Sequence, residues 1–142
     1  MQSSARNQLK GKVTKINHGS VNDTIKIELA GGDRLVATIT SESTQTLGLS
    51  TGTSVIALIK APWVMVATHA ENVKVSARNQ LNGVIEHLKT GAVNTEVGIR
   101  LKGGTVITAM ITNDSAEALQ LHQGQSTTAI VKASHVILAV AN

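Results

Sequence analysis

The chain has 142 residues, a formal net charge of +4, no cysteine and a single aromatic residue, Trp63. Without cysteine it can form neither disulfides nor thiolate metal sites. The basic charge suggests nucleic acid, but the cations are scattered singly and one aromatic residue cannot supply the stacking surfaces of single-strand binders, so no nucleic-acid partner is expected. No apolar run approaches the roughly 18 residues of a membrane span, and no signal peptide is visible, which predicts a cytoplasmic protein without membrane association.

The first half of the chain predicts five short strands and one short helix. Alternating polar and apolar residues indicate half-buried strands at residues 11–16, 21–29 and 35–39, with turns at 17–20 and 30–33. Residues 40–47 begin with capping residues and stop at Gly48, which indicates one or two helical turns. Strands at residues 54–60 and 64–68 complete this half.

The second half repeats this order of elements. Strands are predicted at residues 83–88, 93–101, 106–111, 126–132 and 136–140, with the helical turns at residues 113–121. We expect each final strand to close the sheet of its own half. Five strands with a small helix between the third and fourth predict an all-β fold of two tandem OB-like, five-stranded Greek-key barrels.

A duplication underlies this arrangement. The hexapeptide Ser-Ala-Arg-Asn-Gln-Leu occurs at residues 4–9 and again at residues 76–81, and a shift of 72 residues aligns 4–68 with 76–140 without a gap. About 27 of these 65 pairs are identical. We therefore expect a first domain at residues 1–68, a linker at 69–75 and a second domain at 76–142. Since domains of about 60 residues are marginally stable alone, the two are expected to need each other or further chains.

The two copies share few charged residues. Of the 13 Lys and Arg residues, only Arg6/Arg78 and Lys60/Lys132 stand at matching positions. The other matched polar pairs are Ser4/Ser76, Asn7/Asn79, Gln8/Gln80, Asn22/Asn94, Thr40/Thr112, Ser43/Ser115 and Ser54/Ser126. Each can be explained singly as a turn residue or a helix cap. A binding site is the alternative explanation for the matched Ser, Arg, Thr, Ser and Lys positions taken together.

The matched positions do not supply catalytic or metal-ion chemistry. None of the five histidines is matched, and Glu42/Asp114 is the only matched pair of acids. A metal site built on imidazole, a hydrolase with paired carboxylates and a serine nucleophile with its base are therefore unsupported. No Gly-rich stretch fits a phosphate or dinucleotide loop. The sequence predicts a protein that is not an enzyme, has no cofactor and binds no bare metal cation.

The matched residues suit an oxyanion. Guanidinium, ammonium, hydroxyl and main-chain N–H groups at a helix start all donate hydrogen bonds. Molybdate, tungstate and sulfate are fully deprotonated dianions that only accept such bonds, whereas phosphate near pH 7 keeps some proton that requires an acceptor. A set of donors without a matched acceptor therefore favours a deprotonated oxyanion.

These residues resemble the molbindin, or Mop-domain, family in its two-domain form. The resemblance is carried by the hexapeptide at residues 4–9 and 76–81, by Gly11 and Gly19, and by the segments at residues 39–43, 49–52 and 59–61. It covers about 130 residues, in both copies. It implies OB-like domains, six of which assemble around a threefold axis. A two-domain chain would then be a homotrimer that holds molybdate or tungstate at interfaces between domains.

The resemblance also implies which residues bind. In the first copy they are Ser4, Ala5, Arg6, Lys60 and Ala61, with Thr40 and Ser43 reaching across from a neighbour. In the second copy they are Ser76, Ala77, Arg78, Lys132, Ala133 and Ser134, with Thr112 and Ser115. Pro62 replaces the hydroxyl and N–H of Ser134, so the two kinds of site are expected to differ in affinity. Further sites on the threefold axis are implied at Gly19, Ser20, Val21, Asn22 and at Gly91, Ala92, Val93, Asn94, where the glycines are equally well explained as turn residues.

The function that the resemblance implies is a cytoplasmic molybdate-binding protein that stores or buffers the oxyanion for molybdenum-cofactor or nitrogenase assembly. One alternative is a ligand-sensing regulatory module that binds molybdate and contacts a partner. Direct control of DNA is not expected, since no helix-turn-helix region precedes the repeat. The other alternative is an OB-fold nucleic-acid binder, which a steeply salt-dependent retention on single-stranded DNA would favour.

Overall fold

The computed structural model describes residues 1–141 as two curled, five-stranded antiparallel sheets with two short helices. The first half contains β1 (Asn7–Asn17), β2 (Asn22–Leu29), β3 (Arg34–Thr40), α1 (Ser41–Thr46), β4 (Ser54–Ile59) and β5 (Met65–Ala67). The second half contains β6 (Asn79–Thr90), β7 (Asn94–Leu101), β8 (Val106–Thr112), α2 (Asn113–Ala118), β9 (Ser126–Val131) and β10 (Ile137–Ala139). The predicted fold class, two tandem OB-like domains with a short helix in each, is confirmed.

The strands follow from the alternation of the sequence. In β2, the side chains of Ile25, Ile27 and Leu29 are buried, while the residues between them are partly or fully exposed. Strand β4 is different because Ala57, Leu58 and Ile59 are buried in succession, which places β4 between two apolar layers. The buried side chains of both halves form one continuous hydrophobic core.

The final strand of each half belongs to the other half's sheet. The strand orders are β10-β4-β1-β2-β3 and β5-β9-β6-β7-β8, so β5 and β10 are exchanged. This corrects the expectation that each final strand closes its own copy. A short 3₁₀ turn, at Ala61–Trp63 and at Ala133–His135, redirects the chain just before each exchanged strand. Because the two copies carry nearly the same strand pattern, either sheet offers an equivalent edge, and local sequence cannot say which edge is used.

The hairpin turns between β2 and β3 and between β7 and β8 also meet. The main-chain N–H of Gly103 donates to both carboxylate oxygens of Asp33, at 3.2 and 3.0 Å. Gly31 has a φ of +99°, and a Cβ atom there would collide with the carbonyl oxygen of Gly103. The close approach of the two turns therefore requires glycine at position 31.

The limits of the structural units differ from the limits of the repeat. Residues 68–78, which include the expected linker at 69–75, contain no helix or strand. The exchanged strands β5 and β10 cross this boundary and pair with β9 and β4. Within residues 1–141, no helix is long and apolar enough to span a membrane.

Candidate functional site

The pairing of β1 with β4 brings the two matched cations of the first copy to one end of its sheet. The first residue of β1 pairs with the last residue of β4, and Arg6 and Lys60 are the next residues beyond this pair. The pairing of β6 with β9 does the same for Arg78 and Lys132. All four side chains are exposed. Each copy therefore presents one guanidinium and one ammonium at neighbouring positions.

The two residues before each arginine are a serine and an alanine, and the alanine is the more buried of the two. Ser4 and Ser76 are exposed, and Ala5 and Ala77 are half-buried. The N–H of Ala5 donates to the hydroxyl of Ser3 at 3.1 Å. An anion that uses this N–H must therefore replace a local hydrogen bond.

The residues after each lysine begin the 3₁₀ turns. Ala61 and Ala133 are buried, whereas Pro62 and Ser134 are exposed. Proline stands at the first or second position of the first turn, where its missing N–H has no helical partner in any case. The exposed hydroxyl of Ser134 has no counterpart in the first copy, as the sequence already indicates.

The matched Thr and Ser residues cap the two helices. Thr40 accepts a hydrogen bond from the N–H of Ser43 at 3.0 Å, and its hydroxyl donates to the Ser43 hydroxyl at 2.8 Å. In the second copy Thr112 and Ser115 form the same pair of bonds, at 3.1 and 2.9 Å. In this arrangement the serine hydroxyl accepts from threonine and keeps its own proton for a further acceptor. Capping and anion binding are thus compatible at these positions.

A copy's capping pair lies far from its own cations. Thr40 pairs with the start of β2, which lies beside the end of β1, whereas Arg6 precedes the start of β1. The two groups are therefore separated by the length of the 11-residue strand β1. No hydrogen bond or ion pair within residues 1–141 joins a capping pair to Arg6, Arg78 or either matched lysine. A site that combines both groups has to use another domain or another chain.

Arg6 is engaged by a carboxylate of the other half. Its Nη2 atom donates to Oε1 of Glu96, and Nε2 of His87 lies 3.2 Å from Oε2 of the same carboxylate. The hydrogen bond from Arg6 is the main cause that lowers the pKa of Glu96, and His87 lowers it further. Glu86 extends the network, since it lies 4.0 Å from Nδ1 of His87 and accepts from Arg100 at 3.4 Å.

Lys60 lies over an aromatic ring at the contact between the two halves. Its Nζ atom is 5.4 Å from the ring centroid of Trp63, a cation–π distance. The Trp63 ring in turn lies against His135, with centroids 5.1 Å apart and planes tilted by 32°. Trp63 and His135 are matching positions of the repeat. Their mutual contact indicates that the halves meet about a local twofold axis.

Two buried asparagines bridge the halves, and sequence reasoning missed this role. The amide of Asn7 donates to the carbonyls of Ile59 and Thr108, and its oxygen accepts from the N–H of Thr108 at 2.7 Å. Asn79 forms the matching pair of bonds with the main chain of Val36, at 2.7 and 2.8 Å. Both asparagines lie within strands, so the turn interpretation is wrong for them. The identity of Asn7 and Asn79 in both copies was the available signal. The main-chain groups of Thr108 and Val36 that they bind belong to the sheet-edge strands β8 and β3.

The turns expected on a threefold axis are exposed. Val21 and Val93 are 70% and 69% exposed. The N–H of Gly19 donates to a carboxylate oxygen of Asp23, and that of Gly91 donates to a main-chain carbonyl in its own turn. The glycine N–H groups are therefore already paired within their turns.

Asp23 organises the first of these turns. Its buried carboxylate accepts hydrogen bonds from the hydroxyl of Ser41 at 2.9 Å and from the N–H of Gly19 at 3.1 Å. A side-chain hydrogen bond from Thr44 is the largest cause that lowers its pKa from 3.8 to about 2, against the opposing effect of burial. Asp23 is therefore ionised at all but very acidic pH.

The described residues offer no clustered metal ligands. Within residues 1–141 no group of three or more His, Asp or Glu side chains could hold a metal ion. Every buried side-chain N or O atom in this range has a hydrogen-bond partner.

Comparison with family models finds one domain type twice. The model described as the TOBE domain matches residues 3–66 and residues 75–138. These two matches follow the two copies of the internal repeat.

Curated relatives match the chain over nearly its whole length. The molybdenum-pterin-binding protein MopA of Rhodobacter capsulatus is 44% identical over 140 residues, which are 99% of this chain and 53% of MopA. The DNA-binding transcriptional dual regulator ModE of Escherichia coli (strain K12) is 41% identical over 140 residues, 98% of this chain and 52% of ModE. The chain thus spans about half the length of the curated relatives it matches.

A solved structure matches this chain over nearly its whole length. The crystal structure of the cytoplasmic molybdate-binding protein ModG, with molybdate bound, superposes with a TM-score of 0.95 at 46% sequence identity. The match covers 99% of this chain and 100% of that chain.

Proposed function

Because the chain belongs to the TOBE domain family, as a two-domain molbindin, we propose that it binds molybdate or tungstate as an intact oxyanion and stores it. The protein acts in the cytoplasm, as ModG is described to do, and it is not an enzyme. Bound oxyanion is held in reserve for molybdenum-cofactor or nitrogenase assembly.

The observation that carries this proposal is the pair of cations at the end of each sheet. Strand pairing puts Arg6 beside Lys60 and Arg78 beside Lys132, although the other nine cations of the chain have no counterpart in the repeat. A guanidinium offers a planar fork to two oxygens and an ammonium adds a point charge, which suits a tetrahedral dianion. The whole-chain likeness to a protein with bound molybdate supports the same ligand.

The binding residues extend from each cation pair to its neighbours and to a capping pair. For the first copy they are Ser4, Ala5, Arg6, Lys60 and Ala61 with Thr40 and Ser43, and for the second copy Ser76, Ala77, Arg78, Lys132, Ala133 and Ser134 with Thr112 and Ser115. Since the cations and caps of one sheet lie at opposite ends of β1, each site takes its caps from another domain.

The working assembly is a homotrimer. Large apolar side chains are exposed in matching pairs, Val21 with Val93 and Met65 with Ile137. Repetition at a spacing of 72 residues indicates that the same kind of surface is covered in both halves, as domains around a common axis require. The turns at residues 19–22 and 91–94 then line additional sites on the threefold axis.

Equilibrium dialysis against molybdate, with sulfate and phosphate in excess, tests the function. We expect several molybdates per trimer. The native mass of the same sample gives the oligomeric state. The double variant Arg78→Ala/Lys132→Ala should lose the molybdate that the second-copy sites retain and keep the assembly. The matched control, Arg34→Ala/Lys102→Ala, removes one arginine and one lysine that are exposed and unmatched, and it should bind like the wild type. Wild-type stoichiometry in the first variant contradicts the site, and no retention by the wild type contradicts the function.

The second candidate function is a ligand-sensing regulatory module, which the ModE relatives favour. Those proteins are regulators of which this chain spans about half. Fluorescence anisotropy of a labelled DNA duplex, with and without molybdate, separates the two functions. Molybdate-dependent binding to the duplex supports regulation, and its absence together with molybdate retention supports storage.

A further inference from the structure

We propose that Glu96 competes with the oxyanion for Arg6 and thereby makes the site on Arg6 and Lys60 the weaker of the two sites in each chain. The inference rests on the proposed function, since it concerns the affinities of two oxyanion sites. It identifies a residue outside both sites that sets the difference between them.

The contact with Arg6 is well supported by its surroundings. The side chain of Glu96 is only 17% exposed, while that of Arg6 is 51% exposed. His87 holds the second carboxylate oxygen at 3.2 Å, and its ring lies over Gly98, where a Cβ atom would collide with it. Glu96 therefore has a second partner besides Arg6, and His87 holds its carboxylate beside the guanidinium.

The second copy has no such contact. Thr24 stands at the position that matches Glu96, and Lys15 stands at the position that matches His87. Within residues 1–141, Arg78 has neither a hydrogen bond nor an ion pair with any side chain. Its guanidinium is thus available in full to an incoming anion.

The lysine of the first copy is likewise engaged within the chain, whereas that of the second copy is not. Lys60 lies over Trp63 at 5.4 Å, a contact that an anion has to rearrange or share. The position that matches Trp63 is His135, and no cation–π contact of Lys132 occurs within residues 1–141. Both cations of the first copy are therefore engaged inside the chain, and both cations of the second are not.

The charge of Glu96 acts on a dianion in two ways. The anion either displaces the carboxylate from Arg6, which breaks an ion pair, or shares the guanidinium with it, which places two anionic groups side by side. Either route weakens binding. We expect a ratio of about tenfold between the two sites, equivalent to about 1.4 kcal/mol.

The test uses calorimetric titration of the full chain with sodium molybdate. The background Arg78→Ala/Lys132→Ala removes the second-copy site, so that the effect of a substitution at Glu96 reports on the first-copy site. In this background Glu96→Gln, which keeps the size of the side chain and removes its charge, should tighten binding about tenfold. The matched control is Glu28→Gln, which removes an exposed carboxylate with no contact to Arg6, and it should leave the affinity unchanged.

A reciprocal variant keeps the proposal falsifiable if one protein folds poorly. In the background Arg6→Ala/Lys60→Ala, the substitution Thr24→Glu places a carboxylate in the first copy, at the position that matches Glu96, and should weaken binding at the second-copy site about tenfold. Unchanged or weaker binding in Glu96→Gln, or unchanged binding in Thr24→Glu, overturns the proposal. Failure of the wild type to bind molybdate at all instead overturns the proposed function, so the two failures are distinct.

Discussion

The asparagine bridges between the halves give the most direct test of the fold. Replacing Asn7 with alanine removes three hydrogen bonds, to Ile59 and to both main-chain groups of Thr108. Replacing Asn79 removes two, both to Val36. The partners in the opposite half, Thr108 and Val36, are main-chain groups of the edge strands β8 and β3. No other residue takes over these bonds, so each variant leaves polar groups without a partner.

The expected loss follows from the number of bonds. A typical intramolecular hydrogen bond contributes about 1 kcal/mol net, so Asn7→Ala should lower the free energy of unfolding by about 3 kcal/mol and Asn79→Ala by about 2 kcal/mol. Each buried group left unsatisfied costs about 1–3 kcal/mol, which makes these values lower bounds. The order, with Asn7 the more costly, follows directly from the extra bond to Ile59.

Urea unfolding at one fixed protein concentration measures both losses. The matched control is Asn17→Ala, since Asn17 is an exposed residue at the end of β1 and should change the free energy of unfolding by less than about 0.5 kcal/mol. If Asn7→Ala and Asn79→Ala are as stable as this control, the asparagine hydrogen bonds do not contribute to the stability of the contact between the halves, and the prediction is wrong.

Three further predictions concern the backbone and a buried carboxylate. Gly31→Ala should destabilise the chain more than Gly32→Ala in the same urea assay, because both positions have positive φ but a Cβ atom meets another main chain only at Gly31. Gln120→Gly should raise the free energy of unfolding by about 1 kcal/mol in that assay, since Gln120 has a φ of +52° where the first copy has glycine. The pKa of Asp23 is lowered from 3.8 to about 2, so its carboxylate stabilises the fold above pH 3.8 and this contribution disappears as the pH falls towards 2. Thermal unfolding should therefore show Asp23→Asn less stable than the wild type at pH 7, with the difference shrinking between pH 4 and pH 2.

Local sequence was sufficient to predict the strands and the helices. The alternation of Ile25, Ile27 and Leu29 requires one buried face, and the turn residues around it limit the length of each strand. The predicted first strand, at residues 11–16, begins too late, because the polar residues of the hexapeptide at 4–9 do not show the alternation of a half-buried strand. In the structure its last three residues belong to β1, where Leu9 joins the core.

The exchange of β5 and β10 cannot be predicted from the alternation of polar and apolar residues. A strand pattern indicates which face is buried, but it does not indicate which of two equivalent sheet edges receives the strand. The duplication makes the two edges nearly identical in sequence, so the choice depends on the direction in which the 3₁₀ turns lead the chain. The contact of Trp63 with His135 beside these turns is likewise a property of the assembled halves.

Comparison of the two copies predicts the cations of the candidate site, but it does not predict the residues that contact them. Matching positions identified Arg6 and Lys60, and strand pairing then explains why they are neighbours. The position that matches Glu96 in the repeat is a threonine, so Glu96 is not among the matched residues. Its contact with Arg6 joins residues 90 positions apart, which only the packing of the two halves reveals.

The proposed difference between the two sites has a consequence for how the chain takes up its ligand. Under the proposed function every chain carries one first-copy site and one second-copy site, because each copy contributes one pair of matched cations. If Glu96 weakens the first-copy site, the second-copy sites fill first and the first-copy sites fill only at higher oxyanion concentration. A store with two affinities takes up its ligand over a wider range of concentration than one with identical sites. Loss of the Glu96 charge should therefore leave the capacity unchanged and narrow the concentration range over which the protein fills.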